Sequence, residues 1–523
     1  MKAFHVGLIT TAYLFVSLSF ASYSSSLEQK NNNIEVSINK AMKAFLVPGV
    51  AVAIVKDNQV VMSKGFGLTQ YGTKNKVNAD TLFGIASNTK AMTAALLANL
   101  VDQGELTWQT KVIDIIPEFQ MPNAYVTGEF TLLDLLSHNS GLGLGAGDLM
   151  IWPGTTLTNQ DIIKGLKHLP EVSSFRSEFA YDNLMYVIAG EVIAKITGKS
   201  WQENIKETIF QPLGMKKTKA KFSLISQNNN NVARAHVPLD GKLNVVGGDF
   251  LEKFSSAGSV ASSVNDMSLW LKAQLNKGTY GDNQKLFSER QSHNMWQMRT
   301  ILPVSTVATE NDKTHFSGYG LGWFLNDYHG VKLVHHSGGI LGMVSKVVLV
   351  PEVNLAMVIL TNQQSGSAFN AIYHQILNEY LELPEKDWVD FYHDKNKKRK
   401  KVEKIRLAEA ANNVDKNSRH SLPLISYAQI YKDNWYGDIS INYANNALNM
   451  QFGNTPALHG VLEHYQHNTF IVRWDDRTLE ADAFVNFNLN PDGSINYVTM
   501  KAVSRATDFS FDFHDLKLRP KTE

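Results

Sequence analysis

The 523-residue sequence contains no cysteine, which excludes disulfide bonds, a lipidated cysteine, thiolate catalysis and cysteine-based metal sites. It also lacks an excess of either charge, because 50 lysines and arginines stand against 49 acidic residues. A balanced chain has no strong electrostatic field to draw it onto nucleic acid or an anionic membrane surface. We therefore do not expect nucleic acid among its partners.

Long apolar runs are also missing after the first residues, so no second membrane span is expected. The N-terminus carries Lys2, an apolar run from Val6 to Phe20 and a small residue at Ala21, before a serine cluster. This layout is typical of a secretory signal peptide over residues 1–21. The alternative is an uncleaved membrane anchor, for which the apolar run is short. We expect an exported protein, periplasmic or secreted, that keeps no stable membrane span after cleavage.

The length and the 44% hydrophobic content are too large for one small core, so two domains are expected. The composition changes near residue 385, where a basic run at Lys395–Lys401 precedes a polar helical pattern. These features indicate a linker. We assign the first domain to residues 34–380, a basic, helical linker to residues 385–422, and a second domain to residues 423–520.

Strand patterns open and close the first domain. Four apolar runs have strand character: Val50–Val55, Val60–Met62, Met343–Val350 and Leu355–Leu360. The pattern between them is mainly helical to about residue 275. Strands at both ends of a region with a helical middle predict an α+β fold. In this fold, helices flank an antiparallel sheet whose first and last strands are neighbours.

The second domain is rich in short alternating strands. Three of them are Ala447–Phe452, Phe470–Trp474 and Phe484–Asn488. Asp492-Gly493 is a hairpin signal. The pattern predicts a small all-β domain, lipocalin-like or a barrel.

The first chemical motif is Ser87-Asn88-Thr89-Lys90, at the start of a predicted helix from Asn88 to Gln103. Residues three apart on a helix project from one face, which brings the serine hydroxyl within reach of the lysine amine. A serine hydroxyl is a poor nucleophile until a base removes its proton, and a buried lysine with a lowered pKa can be that base. The helix start also offers the backbone N–H of Ser87 to a developing oxyanion.

A second serine and lysine share this spacing, at Ser37 and Lys40. They lie inside the first predicted helix and lack the small, tight lead-in Gly84-Ile85-Ala86 that precedes Ser87. We therefore interpret Ser37 as a surface residue and Ser87 as the candidate nucleophile.

The second motif is Tyr181-Asp182-Asn183, which a helical run follows. A phenol near a cationic lysine can shuttle protons, partly as phenolate, and an amide can hold a substrate carbonyl. Tyr443-Ala444-Asn445 repeats the pattern in the β-rich tail, but no helix follows it. Tyr181 and Asn183 are therefore the candidates.

The third motif, His336-Ser337-Gly338-Gly339, is placed at the end of a strand. Glycines at a strand edge, here Gly338 and Gly339, let a substrate backbone approach, and they leave the N–H of Gly339 free as a second oxyanion donor. Each motif alone has an ordinary structural explanation, such as a helix cap or a core aromatic. Their occurrence in this order, each in its expected helix or strand context, favours a catalytic site.

With these motifs the sequence resembles the β-lactamase-related serine hydrolases, which include class C β-lactamases, D-alanyl-D-alanine peptidases, D-aminopeptidases and esterases. The resemblance covers about residues 34–380. Further matching segments are Thr81-Leu82-Phe83-Gly84-Ile85-Ala86, Leu136-Ser137-His138-Asn139-Ser140-Gly141-Leu142, Gln211-Pro212-Leu213-Gly214-Met215 and Tyr319-Gly320-Leu321-Gly322-Trp323. It implies the fold of serine β-lactamases and penicillin-binding proteins, with a helical subdomain. The tail from about residue 425 resembles a β-domain of unknown function that is often appended to these hydrolases.

The resemblance implies an acyl-enzyme on Ser87, a base role shared by Lys90 and Tyr181, and carbonyl binding by Asn183. It implies oxyanion N–H groups at Ser87 and Gly339, and no cofactor or metal. The expected substrate is a small or peptide-like ester or amide, including cell-wall-derived peptides.

His336 departs from the class C β-lactamases, which usually place a lysine there. Histidine is mostly neutral near pH 7, so we expect a weaker grip on a substrate carboxylate and a pH-sensitive activity. The resemblance is correspondingly closer to esterases and aminopeptidases, with at most weak β-lactam hydrolysis. His138 also lies in a family motif, and we interpret it as structural, holding a loop.

Two other classes of function compete with this hypothesis. His464 and His467 stand three apart, but in a strand region and without the helical arrangement that a metalloenzyme needs. The stronger rival is a non-catalytic or slowly deacylating penicillin-binding or sensor protein, which intact motifs alone do not exclude.

Overall fold

The computed structural model describes residues 27–247, 251–415 and 417–521. The predicted signal peptide therefore lies outside the described residues. None of the described helices is both long enough and apolar enough to span a membrane.

The first domain is built on an eight-stranded antiparallel sheet in the order β2-β1-β14-β13-β12-β11-β10-β9. The first strand pairs with the last, as the sequence predicted, with Ala53 opposite Val358. The strands are β1 Gly49–Lys56, β2 Gln59–Gly67, β9 Thr300–Leu302, β10 Ser317–Tyr319, β11 Phe324–Tyr328, β12 Val331–Ile340, β13 Met343–Val350 and β14 Leu355–Thr361. Three short ladders lie outside it: β3 Phe83–Gly84 with β6 Ala261–Ser262, β4 Ala235–Leu239 with β5 Lys242–Val246, and β7 Thr279–Tyr280 with β8 Gln284–Lys285.

Helices cover both faces of the sheet. Its central strands are therefore covered on both faces, and every residue of β13 and β14 is buried instead of every second one. The α-helices are α1 at residues 27–45, α2 Thr89–Asp102, α3 Val112–Ile115, α4 Ala124–Glu129, α5 Leu132–Ser137, α6 Asn159–Gly165, α7 Asn183–Thr197, α8 Trp201–Ile205, α9 Gln211–Leu213, α10 Ser255–Gly258, α11 Val264–Leu275, α12 Glu289–Met295, α13 Thr306–Asp312, α14 Gly366–Leu381 and α15 Trp388–Asn412.

The two faces carry separate cores. The core that contains Ile54 and Ile359 lies under α1, α14 and the start of α15. The other core contains Ala53 and Val358 and lies under α2, α7, α10 and α11. The candidate catalytic residues lie on this second face, between the sheet and the helical region.

Ser37 is not the surface residue that we expected from the sequence. It is 9% exposed, because α1 turns the face formed by Ile34, Ser37, Ile38 and Ala41 towards the sheet. These positions follow the helical spacing of three and four residues, so Ser37 shares the buried stripe. The prediction that Ser37 is a surface residue was therefore wrong. Ser37 nevertheless lies on the face of the sheet opposite the candidate catalytic residues.

The second domain is a closed eight-stranded antiparallel barrel, in which β15 pairs with β22. Its strands are β15 Ile430–Asp433, β16 Gly437–Ala444, β17 Ala447–Phe452, β18 His459–Gln466, β19 Thr469–Trp474, β20 Ala483–Leu489, β21 Ile495–Ala502 and β22 Lys517–Pro520. Buried side chains alternate with partly buried ones in strands such as β17 and β20, as expected for a barrel with a filled interior. The barrel interior and the core beneath the helices form one continuous apolar cluster, which joins the two domains.

Candidate active site

Ser87 lies in a tight 3₁₀ turn, Ala86–Asn88, which leads directly into α2. Ala86 has φ of 47°, a left-handed conformation that is costly for a residue with a Cβ atom. Ser345 on β13 holds the turn: its Oγ donates to the Ile85 carbonyl at 2.6 Å and accepts from the Asn88 amide at 2.7 Å. Ser87 itself stays half-buried, so solvent reaches it.

Gly338 allows this turn to rest against β12. A Cβ atom at Gly338 would lie 2.2 Å from the Ile85 carbonyl oxygen and 2.6 Å from Ser345 Oγ. Strand β12 runs from Val331 to Ile340, so the His336-Ser337-Gly338-Gly339 motif forms the C-terminal part of the strand. Strand β11 pairs with β12 only as far as His335, so no described strand pairs with the Gly338-Gly339 stretch along that edge.

Lys90, one helical turn beyond Ser87, is completely buried. Its Nζ donates to Ser87 Oγ at 3.1 Å, Asn183 Oδ1 at 2.7 Å and the Ala257 carbonyl at 2.8 Å. All three partners are uncharged. Burial lowers the pKa of Lys90 to about 7, and the negative charges of Asp148 and Asp182 oppose that shift. A neutral amine is therefore accessible near physiological pH.

Tyr181 and Asn183 are placed by the start of α7. Asp182 caps this helix by accepting from the Leu184 N–H at 2.8 Å, and Asn183 is its first residue. The Tyr181 ring lies 5.0 Å from Lys90 Nζ. Burial raises the pKa of Tyr181 well above its usual value, and a hydrogen bond with Ser87 lowers it by less. In the free protein Tyr181 is therefore a phenol, not the partial phenolate considered from the sequence.

His138 supports the loop that carries Tyr181. It is fully buried, and its Nδ1 accepts from the Asp182 N–H at 3.1 Å, while its carbonyl accepts from the Ala180 N–H at 2.9 Å. Its ring packs 4.3 Å from the Tyr181 ring, centroid to centroid. This geometry agrees with the loop-holding role expected of it.

His336 is 1% exposed, and both of its ring nitrogens are engaged. Nε2 lies 3.1 Å from the Tyr319 hydroxyl, and Nδ1 lies 2.6 Å from the Ser337 carbonyl oxygen. Its ring centroid is 6.1 Å from that of Tyr181. Burial, aided by the charge of Lys90, lowers the pKa of His336 to about 3, so the imidazole is neutral at physiological pH. We expected His336 to make the activity sensitive to pH. Because its imidazole does not titrate near neutral pH, such a dependence would come from other groups.

Asp148 is a site residue that the sequence reasoning missed. It follows a glycine-rich loop, Gly141–Gly147, and is completely buried. Its Oδ2 accepts from Asn183 Nδ2 at 2.8 Å. Burial raises the pKa of Asp148 to about 7. Asn183 thus bridges a buried acid and the buried lysine, with one amide atom turned to each. No local sequence pattern marks this aspartate.

The described residues contain no group of three or more histidine, aspartate and glutamate side chains that could hold a metal ion. His464 Nε2 lies 2.9 Å from the carbonyl of His467 instead.

A serine and a buried lysine on one helical turn, beside this sheet, define a protein of the penicillin-binding and β-lactamase-like fold class. An octameric penicillin-binding protein homologue from Pyrococcus abyssi has a similar structure, with a TM-score of 0.59 at 20% identity over 93% of this chain and 99% of that one. A class C β-lactamase from Rhodobacter sphaeroides aligns with a TM-score of 0.53 at 18% identity over 67% of this chain and 99% of its own.

The chain belongs to the beta-lactamase family, whose model matches residues 38–380. A domain of unknown function, DUF3471, matches residues 413–520. Among named relatives, an unguisins hydrolase from Aspergillus campestris is 28% identical over 70% of this chain and 69% of its own length. Protein flp from Staphylococcus aureus is 28% identical over 66% of each chain. The resemblance drawn from the sequence motifs is thereby confirmed.

Two glycine substitutions test how the serine turn is held. Gly338→Ala should destabilise the protein by about 1–3 kcal/mol, because the added methyl overlaps backbone and forces the turn off β12. Gly339→Ala is the matched control, because its Cβ would meet only Val344 Cγ1, at 4.0 Å. Thermal unfolding measures both, and equal midpoints for the two variants would contradict the close approach.

Proposed function

We propose that the protein is a serine hydrolase that cleaves an ester or amide through an acyl-enzyme on Ser87. The observation that carries this proposal is the 3.1 Å contact between Ser87 Oγ and the fully buried amine of Lys90. A lysine with uncharged partners and a pKa near 7 suits the role of general base at neutral pH.

In the proposed reaction, neutral Lys90 accepts the Ser87 proton while Oγ attacks the substrate carbonyl carbon. The oxyanion of the tetrahedral intermediate takes the backbone N–H groups of Ser87 and Gly339. The leaving alcohol or amine departs with a proton, relayed from Lys90 through Tyr181, and Ser87 stays acylated. Water then attacks the carbonyl carbon of the acyl-enzyme while Lys90 accepts its proton. The bond to Ser87 Oγ breaks, Lys90 returns the proton to Oγ, and the acid product leaves.

A cation at the third motif would bind a substrate through its carboxylate. The imidazole of His336 is neutral, which supports esters and amides that do not depend on such a contact. Its pKa of about 3 leaves it uncharged across the physiological range. The hydrolase name of the fungal relative supports bond hydrolysis in general. We propose that this site hydrolyses β-lactams at most weakly.

Labelling with a fluorophosphonate probe tests the nucleophile. Ser87→Ala should lower the labelling by at least about 1,000-fold, because the probe then has no activated hydroxyl to modify. Ser37→Ala is the matched control, because Ser37 and Lys40 share the spacing on α1, away from this site. Full labelling of the Ser87→Ala variant would overturn the assignment.

The pH dependence of that labelling tests the base. The rate should rise about tenfold between pH 6 and pH 8, since Lys90 acts only when it is deprotonated and its pKa is about 7. Asp148 ionises over the same range, so the midpoint belongs to the pair. In Lys90→Arg the rate should stay low and flat, because the guanidinium keeps its proton. A flat profile for the unaltered protein would count against Lys90 as the base.

Burst kinetics separate an enzyme from a slowly deacylating sensor. With a chromogenic ester, a hydrolase should continue at a steady rate after the first equivalent of alcohol is released. Release that stops at one equivalent per Ser87 would instead establish the penicillin-binding or sensor alternative.

A further inference from the structure

One loop of the barrel reaches into the first domain beside the candidate site. It connects β21 to β22 and spans residues 503–516. Its Asp512 is fully buried and accepts two backbone hydrogen bonds from the glycine-rich loop, from the Gly147 N–H at 2.6 Å and the Leu149 N–H at 3.1 Å. These bonds fix the barrel loop to the segment that carries Asp148.

Ser510 of the same loop extends the hydrogen-bond chain of the site. Its Oγ donates to Asp148 Oδ2 at 2.8 Å, and that same oxygen accepts from Asn183 Nδ2. Asn183 in turn accepts from Lys90. The barrel is therefore joined to the lysine through two intermediate side chains.

Phe509 lies against Tyr181 at the mouth of the site. The ring centroids are 6.0 Å apart and the planes meet edge to face, at 82°. Phe509 is 40% exposed, and Tyr181 and Ser87 are each half-buried, so the three lie where solvent enters. Phe324 on β11 lies parallel to Tyr181 on another side, at 6.5 Å between centroids.

Gly145 lets Phe509 take this position. Its φ is 70°, and a Cβ atom there would lie 2.8 Å from Phe509 Cδ2 and 2.9 Å from the Phe509 carbonyl oxygen. The Gly145 N–H donates to the Tyr181 carbonyl at 2.8 Å. The glycine-rich loop thus packs between the barrel loop and the segment that contains Tyr181.

We propose that the barrel loop Asp508–Asp512 is a wall of the substrate cleft, and that Phe509 is a specificity-determining residue for apolar groups bound beside Tyr181. The inference rests on the proposed function, because it names the substrate class of that same site. A ring with two-fifths of its surface exposed gains free energy when an apolar substrate group covers it. Phe324 is a second aromatic neighbour of Tyr181. An apolar acyl chain or side chain of the substrate would be bound against these rings.

The test compares p-nitrophenyl hexanoate with p-nitrophenyl acetate on the full-length protein, by the rate of p-nitrophenol release during acylation. Phe509→Ala should lower the hexanoate-to-acetate ratio of kcat/KM about tenfold, because only the longer chain reaches the ring. Tyr443→Ala is the matched control, since Tyr443 is a barrel aromatic of similar exposure, 38%, placed on β16. Its ratio should equal that of the unaltered protein.

Phe509→Leu keeps an apolar side chain against Gly145, and its ratio should fall by only about threefold. This variant tests whether Phe509 contacts the substrate even if the alanine variant fails to fold. If the ratio is unchanged in both Phe509 variants, the barrel loop is not a wall of the substrate cleft. If Ser87→Ala is at the same time inactive on both esters, the proposed function is still supported. Ester cleavage by Ser87→Ala at the unaltered rate would instead overturn the proposed function.

Discussion

The organisation of the site depends on one buried cation. An ammonium group without solvent is costly, and the protein lowers that cost with three uncharged hydrogen-bond acceptors and nearby carboxylates rather than with a direct ion pair. This balance leaves Lys90 near its titration point at neutral pH. A full salt bridge would keep the amine charged, and a dry apolar pocket would keep it neutral without orienting it. Asn183 resolves the conflict, because its amide separates Lys90 from Asp148 while bonding to both.

The remaining elements place these groups around the lysine. The left-handed Ala86 presents Ser87 above it, and Gly338 lets that turn sit on β12. Asp182 starts α7 at the point where Asn183 must face Lys90. Local backbone strain at Ala86 is tolerated because Ser345 binds the turn from both sides. Packing around the turn thus fixes the position of Ser87 before any substrate binds.

The sequence predicted the parts of this arrangement that are written in local patterns. The largely apolar runs at β13 and β14 indicated buried strands, and the placement of strands before and after the helices predicted that β1 would pair with β14. The sequence also predicted the helix that starts near Ser87 and the helix that follows Asp182. The interpretation of Ser37 was wrong because it gave more weight to the polarity of the residue than to the helical spacing, which places Ser37 on the same stripe as Ile34 and Ile38.

The missing part of the site came from contacts distant in sequence. Asp148 and Asn183 are 35 residues apart, and Ser510 lies 362 residues beyond Asp148. No periodicity or motif connects such positions, because the first contact follows from the tertiary fold of the first domain and the second from how the two domains pack. Nothing in the sequence around Gly145 indicates Phe509, the residue that approaches because this glycine has no side chain.

The closed barrel has a mechanical consequence for the cleft. The loop that carries Phe509 begins and ends in β21 and β22, which pair with each other, and β22 also pairs with β15 to close the barrel. Both ends of the loop are therefore anchored in one continuous hydrogen-bonded cylinder, and Asp512 pins its middle. A loop held at three points has little freedom to swing away on its own. Widening this side of the cleft requires the whole cylinder to shift against the first domain, which would stretch the apolar cluster that the two domains share.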